Sequence, residues 1–368
     1  MSKLGKKALP ALLLPLLLLL AVVFFRQHGA AQKTGERYSA QFLDVFDTVS
    51  NVIGYDTDEA AFRQKSEAVH ALLLEYHRLF DIYNDYEGLH NLKTVNDNAG
   101  RQPVRVDRKL IDLLLFGKEA YRFTGGRVNI AEGAVLRLWH DEREAGIIDP
   151  QHAALPDTDA LERAAAHTDI ENIVIDEENS TVYLSDPELR IDVGGIAKGY
   201  AVEQAGKEVE ALGGTSYLLN IGGNLKAIGR RADGTDWVCP VENPAYRDGK
   251  STEAYAVVTG LCDRSLVTSG DYERYYTVDN VRYHHIIDPE TCEPGRFHRS
   301  VTILMKDSGE ADALSTGLFL MDTETGRKCI EERNRGRGEA ERIEAMWIDA
   351  DGTRSYTDGF LRYVKDTK

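Results

Sequence analysis

The chain is poor in cysteine, and no two cysteines lie close together. Cys239, Cys262, Cys292 and Cys329 are the only four in 368 residues. None forms a C-x-x-C pair, which excludes the usual zinc spacings. They read as structural residues: buried thiols or, on an oxidising side of a membrane, members of up to two disulfides. Basic stripes are missing too. Lys and Arg number 44 against 60 Asp and Glu, a formal net charge of −16. Nucleic acid is excluded as a partner, because a phosphate polyanion needs a run of cations that no segment offers. A smaller anionic ligand would need a metal ion or backbone amides to offset the acidic field. Neither a Walker motif nor G-x-G-x-x-G occurs, so the common nucleotide fingerprints fail.

Long apolar runs are also absent, with one exception. Ala8 to Phe25 is apolar apart from Pro10 and Pro15, and it follows Lys3, Lys6 and Lys7. This pattern is an export signal. The run is close to the roughly 20 residues that span a bilayer, so a retained anchor and a cleaved signal peptide both fit, with the anchor preferred. The lysines place the N-terminus inside and the remainder on the extracytoplasmic face. Residues 1–26 form this segment, 27–40 read as a polar linker, and 41–368 as the folded domain.

Within the domain, Phe42 to Val52 has strand composition, and Asp56-x-x-Glu59 resembles a capping box opening a helix along Phe62, Val69, Leu72, Leu73, Leu79 and Phe80. A second helix is expected from Asp107 to Gly125-Gly126. Residues 140–160 are polar, with Gly146, Pro150 and Pro156, and read as a surface insertion. From Ile170 onward, short strands dominate. They are interrupted where Ile191-Asp-Val-Gly-Gly feeds from a strand into a helix ending at Gly213-Gly214, and again where Ser300 to Lys306 precedes one more helix. Hairpin strands with few helices predict an α+β fold with mixed, largely antiparallel sheets.

Four segments could carry chemistry. In Glu310-Ala-Asp312-Ala-Leu-Ser-Thr316, Asp312 and Thr316 are four apart on an expected helix, so a carboxylate and a hydroxyl share one side and could hold a hard cation such as Mg2+. The same pair also fits a first-turn carboxylate facing the helix dipole and a threonine bonded to a backbone carbonyl. Asp192-Val-Gly194-Gly195-Ile-Ala-Lys198-Gly199 is a glycine-rich turn into a helix, suited either to tight packing or to an anion. Tyr283-His284-His285-Ile286-Ile-Asp288-Pro289 places adjacent histidines on opposite faces of a strand, which makes one exposed polar face expected. Thr124-Gly-Gly126-Arg-Val128-Asn129-Ile-Ala-Glu-Gly133 has the backbone freedom to wrap a planar ligand.

In this order, and together with Asn220-Ile-Gly-Gly-Asn224 and Thr268-Ser-Gly-Asp-Tyr272, these segments resemble the FAD:protein FMN transferase (ApbE) family from about Phe42 to Phe319. The resemblance implies a T-fold-related domain that moves FMN from FAD to a threonine hydroxyl of an exported acceptor protein, forming a phosphoester and releasing AMP. It implies Mg2+ held by Asp312, Thr316 and the Gly195 carbonyl; Asp312 and, as the group expected to orient or deprotonate the acceptor threonine, His285 are the catalytic candidates. FAD contacts are implied at Phe46, Tyr86, Val128, Asn129, Asp192, Lys198 and Ile286. Phe46 stands where the family often has methionine. Asn129 replaces a common aspartate, which keeps a hydrogen-bonding oxygen but removes any acid/base role. Tyr86 is reached by counting back from Asn96, with His90 at a usual serine. FAD pyrophosphatase activity and simple FAD binding are the competing readings. No Ser-Gly-Ala-Thr-like segment occurs, so the acceptors are other proteins; the family suggests subunits of ion-pumping redox complexes.

Overall fold

Capping chemistry sets the helix boundaries. A computed structural model describes residues 35–365, so the expected export segment and most of the linker lie outside the described residues. Helix α1 (Glu59–Phe80) starts at Asp58, whose carboxylate accepts from the Ala61 amide, and buries Phe62, Val69, Leu73, Tyr76 and Leu79 along one stripe. Asp56, expected to cap this helix, instead accepts from Lys65 Nζ at 2.8 Å and Tyr217 OH at 2.6 Å, tying helix to sheet. Helix α2 (Leu92–Asp97), absent from the sequence reading, is a single capping box closed by Asn91 and Thr94. Helix α3 (Arg108–Phe123) begins after Asp107 as expected.

Strands β1 (Glu36–Val45) and β2 (Thr48–Asp56) form an antiparallel hairpin where one strand was expected, and β1 begins inside the stretch read as linker. The two-residue turn escaped notice because it carries Phe46 and Asp47, at φ 54° and 50°, where such hairpins favour Asn-Gly. The stretch 140–160 is not an insertion either. Helix α4 (Gly133–Ile148) runs through it, burying Val135 and Trp139, and α5 (Thr158–Ala165) follows an Asp157 cap. Its acidic and basic residues form the solvent side of good helix-forming sequence, so polarity alone misled.

Strand β3 (Val104–Arg105) joins the expected hairpin of β4 (Ile173–Asp176) and β5 (Thr181–Leu184). Helix α6 (Ala197–Ala211) is then entered from a turn rather than a strand. Asn96 explains the missing strand. Its amide donates to Ile191 O at 2.9 Å and its carbonyl accepts from Ile191 N at 2.7 Å, so a side chain supplies the pairing a neighbouring strand would give.

The main sheet contains eight strands in the order β1-β2-β6-β7-β10-β15-β16-β17, with β6 (Tyr217–Ile221), β7 (Asn224–Ile228), β10 (Ser265–Gly270), β15 (His298–Met305), β16 (Glu344–Asp349) and β17 (Arg354–Tyr356). Every pairing in it is antiparallel. Period-two alternation sends Tyr217, Leu219, Val267, Ile303 and Trp347 to one face and Leu218, Leu266, Leu304 and Met346 to the other. The first face carries α1, α6 and helix α8 (Ser308–Phe319). The second is covered by the ribbon of β8 (Trp237–Glu242) and β9 (Tyr255–Leu261), with the short helix α7 (Pro244–Arg247) in the connection between them. A further helix, α9 (Thr323–Arg333), follows α8, so two helices rather than one succeed β15. All four cysteines are free thiols, as the structural reading allowed.

Candidate active site

Helix α8 is buried on nearly all sides, wedged between α6 and strands β10 and β15. Asp307 caps it by accepting from Glu310 N at 2.9 Å. Asp312, 6% exposed, sits one turn further on, and its Oδ2 accepts from the Gly199 amide at 2.7 Å. That contact requires glycine: a Cβ at position 199 would lie 2.3 Å from Asp312 Cβ and 2.4 Å from Ser308 O. Burial raises the Asp312 pKa, opposed by the charge of Lys198, the Gly199 amide and the Asn224 side chain. Thr316, one turn below Asp312, is half-buried beside Gly195, where a Cβ would lie 3.6 Å from Thr316 Cγ2 and 3.9 Å from Oγ1. Asp312 and Thr316, one turn apart on α8, therefore lie beside Gly195, which is far from them in sequence. A buried carboxylate, a hydroxyl and backbone beside them form an all-oxygen donor set that fits a hard divalent cation.

The turn that supplies Gly195 also consumes some of its own amides. Gly194 N donates to Asp192 Oδ1 at 2.7 Å and Gly199 N to Asp312, so the phosphate cradle expected from this turn has fewer open donors than its sequence suggests. Lys198 compensates with charge: it is half-buried and makes no ion pair among the described residues. Its field acts on both Asp312 and His285.

His284 ends strand β12 (Val281–His284), which pairs with β11 (Tyr275–Val278), and His285 follows it, ahead of the short pair β13 (Ile287–Asp288) and β14 (Glu293–Pro294). They divide as expected into an inward and an accessible residue. His284 is 5% exposed, bonding Gly295 O at 2.7 Å through Nε2 and accepting from Ile286 N at 3.2 Å through Nδ1. Burial pushes its pKa down to about 4. His285 is half-buried, with Nδ1 at 3.2 Å from Arg274 O. A carbonyl only accepts, so Nδ1 carries the proton and Nε2 keeps a lone pair. Burial, with the charges of Lys198 and Arg274, lowers the His285 pKa to about 3, so the ring is neutral at pH 7. The loop is braced behind: Asp271 accepts from Arg299 Nε at 2.6 Å and Arg282 Nη1 at 3.3 Å, and Asp288 from Arg127 Nη1 at 2.8 Å.

Other expected contacts are placed unevenly. Phe46, at the β1–β2 turn, donates its amide to His77 Nδ1 at 3.2 Å and lies edge-on to the His77 ring. Val128 and Ile286 are buried core side chains, 5% exposed each. Asn129 is committed to the protein, its amide donating to Thr168 O and its oxygen accepting from Ala131 N, both at 2.9 Å. Tyr86 is likewise occupied, donating its hydroxyl to Asp81 Oδ2 at 2.8 Å. Tyr83 is the aromatic that stands free at this edge: it is 50% exposed, packs on His140 with centroids 5.4 Å apart, and feels the charge of Asp192. The loop 81–90 folds around Asp81, whose carboxylate accepts from Tyr83 N, Asn84 N and Asn84 Nδ2. Glu132 was also passed over in the sequence. It is 4% exposed, its Oε1 has no hydrogen-bond partner, and burial with the nearby charges of Asp288 and Asp192 holds its pKa well above the carboxylate range.

The sequence profile of the ApbE family matches residues 46–340. A Vibrio cholerae FAD:protein FMN transferase is 32% identical over 304 residues, covering 80% of this chain and 83% of its own. A Treponema pallidum protein of the same name is 36% identical over 259 residues, covering 66% and 67%. Among solved structures, the Thermotoga maritima ApbE protein superposes with a TM-score of 0.76 at 26% identity, covering 90% of this chain and 100% of that one. The Vibrio cholerae flavin transferase ApbE gives 0.72 at 25% identity, over 89% and 99%.

Proposed function

Because this chain belongs to the ApbE family, we propose that it is a Mg2+-dependent FAD:protein FMN transferase that places FMN on a threonine hydroxyl of exported acceptor proteins and releases AMP. Transferase activity on FAD follows from membership and from the relatives' shared activity. The metal, the threonine and the released AMP are the finer reading. One observation supports it: Gly195 lies beside Thr316, Asp312 one turn away accepts from the Gly199 amide, and the charge of Lys198 acts on both Asp312 and His285.

Asp312, Thr316 and Gly195 would hold Mg2+, which when bound supplies positive charge against the pyrophosphate and acts as a Lewis acid on its oxygens. Lys198 adds a second cation where charge builds on the phosphates. His285 Nε2 accepts the proton of the threonine hydroxyl as its oxygen attacks the FMN phosphorus. The P–O bond to the bridging oxygen breaks and the electron pair leaves on AMP, so one phosphoester replaces one anhydride. Tyr83 offers an exposed ring for the isoalloxazine to stack on.

The basic, apolar N-terminus supports a location on the extracytoplasmic face, tethered by its anchor, with flavoprotein acceptors such as subunits of ion-pumping redox complexes. The test is to incubate the full-length chain with FAD, Mg2+ and a threonine-bearing acceptor, then analyse acceptor mass and nucleotides. Covalent FMN with stoichiometric AMP supports the proposal. Free FMN with AMP would make the protein a pyrophosphatase, and intact FAD would leave only binding.

A further inference from the structure

A chain of three hydroxyls runs beneath the proposed metal ligands. Ser315 Oγ lies 2.9 Å from the Asp312 carbonyl oxygen, Ser269 Oγ lies 2.8 Å from Ser315 Oγ, and Thr316 Oγ1 lies 3.3 Å from Ser269 Oγ. Ser315 is fully buried and Ser308 to Phe319 is a rigid, enclosed helix, so the geometry has little freedom. Each hydroxyl has one proton to give. The Asp312 carbonyl can only accept, so the Ser315 proton goes there. Ser315 can then only accept from Ser269, which has thereby spent its own proton and can only accept from Thr316. The direction of every bond is fixed by its last acceptor.

We infer that Ser269 and Ser315 are positioning residues that hold the Thr316 proton away from the metal position and so present the Thr316 lone pairs to Mg2+. This rests on the metal reading given above. A neutral hydroxyl binds a cation only through its lone pairs, and one rotated to aim its proton at the cation repels it. Partners outside the coordination sphere commonly matter at the level of about 10–100-fold in metal affinity. Ser269 comes from β10 and Ser315 from α8, so the relay also locks the strand to the helix at the site.

The two serines have distinguishable effects. In Ser269→Ala, Thr316 loses its acceptor and its hydroxyl is free to rotate. In Ser315→Ala, Ser269 loses its acceptor and turns its proton on Thr316, which must then point its own proton toward the metal. Ser315 does not meet Thr316 Oγ1, so an effect there is the signature of a directed relay. Ser269→Thr keeps the hydroxyl and should restore function.

The experiment titrates Mg2+ alone into the full-length chain by calorimetry, alongside the Mg2+ concentration giving half-maximal transfer. Ser269→Ala and Ser315→Ala should each weaken Mg2+ binding about tenfold or more with Tm little changed, and Ser269→Thr should bind within about threefold of the parent. On a Thr316→Ala background, Ser269→Ala should cost less than about twofold, since its effect passes through Thr316. Undiminished Mg2+ binding in Ser269→Ala or Ser315→Ala, with Thr316→Ala weakened, overturns the relay. If Thr316→Ala itself binds Mg2+ normally, the metal assignment fails and the relay falls with it.

Discussion

Glu132 is a carboxyl in the wrong company. Its neighbours Asp288 and Asp192 are both acidic and its Oε1 bonds nothing, so the folded state favours the protonated form. The sign of the linkage follows. A carboxyl raised above its ordinary 4.5 adds stability that is fully present below that value and is lost as pH climbs through the folded-state pKa. Glu132→Gln should therefore raise stability at pH 7 by about 1–3 kcal/mol and give no gain near pH 4, which thermal unfolding across pH will register. His285 makes the opposite kind of prediction, in rate rather than stability. Its ring is held neutral with Nε2 open, so His285→Ala should lower transfer by about 10²–10⁴-fold while FAD still binds, as measured by flavin fluorescence beside the transfer assay.

At the scale of elements, Gly199 shows how closely two helices must meet. Its amide donates to Asp312 Oδ2 and its missing Cβ leaves room for the Asp312 side chain and the Ser308 carbonyl of α8. Gly199→Ala should push α6 from α8, costing about 1–3 kcal/mol by denaturant unfolding and weakening Mg2+ binding as well. The two partners were legible in the sequence separately, Asp192-x-Gly-Gly as a turn into a helix and the Asp312/Thr316 spacing as a helix face, while their meeting was implied only by the family resemblance. Legible too were α1 and α3, where an apolar periodicity follows an aspartate-bearing stretch, and α8, an apolar run after a strand. What escaped were places where a side chain does the work of backbone or polarity hides order. Asn96 replaces a strand partner for Ile191, Phe46-Asp47 makes a tight turn without glycine, and α4 hides beneath a charged surface. The exposure of Tyr83 was equally hidden, because the Asp81-centred loop that ties down the Tyr86 hydroxyl leaves no periodic signal.

The molecule as a whole carries −16, and its substrate FAD is also an anion. At low ionic strength the acidic surface repels FAD at long range, while Lys198 and Arg274 attract it only near the site. Raising salt from about 10 mM to about 150 mM shortens the screening length from roughly 30 Å to 8 Å. We expect kcat/KM for FAD to rise over that interval; a fall would show that the cations at the mouth already govern capture.

The order of the main sheet bears on when such capture can begin. Strands β1 and β2 stand at one end, β15 to β17 at the other, and α8 docks only once β10 and β15 flank it. A growing polypeptide thus cannot assemble the proposed flavin site until α8, late in the chain, has appeared. Non-local pairing of this kind also folds slowly. If the chain crosses the membrane unfolded, it travels empty, and FAD must be delivered on the far side. A chain broken before Ser308 would arrive inert.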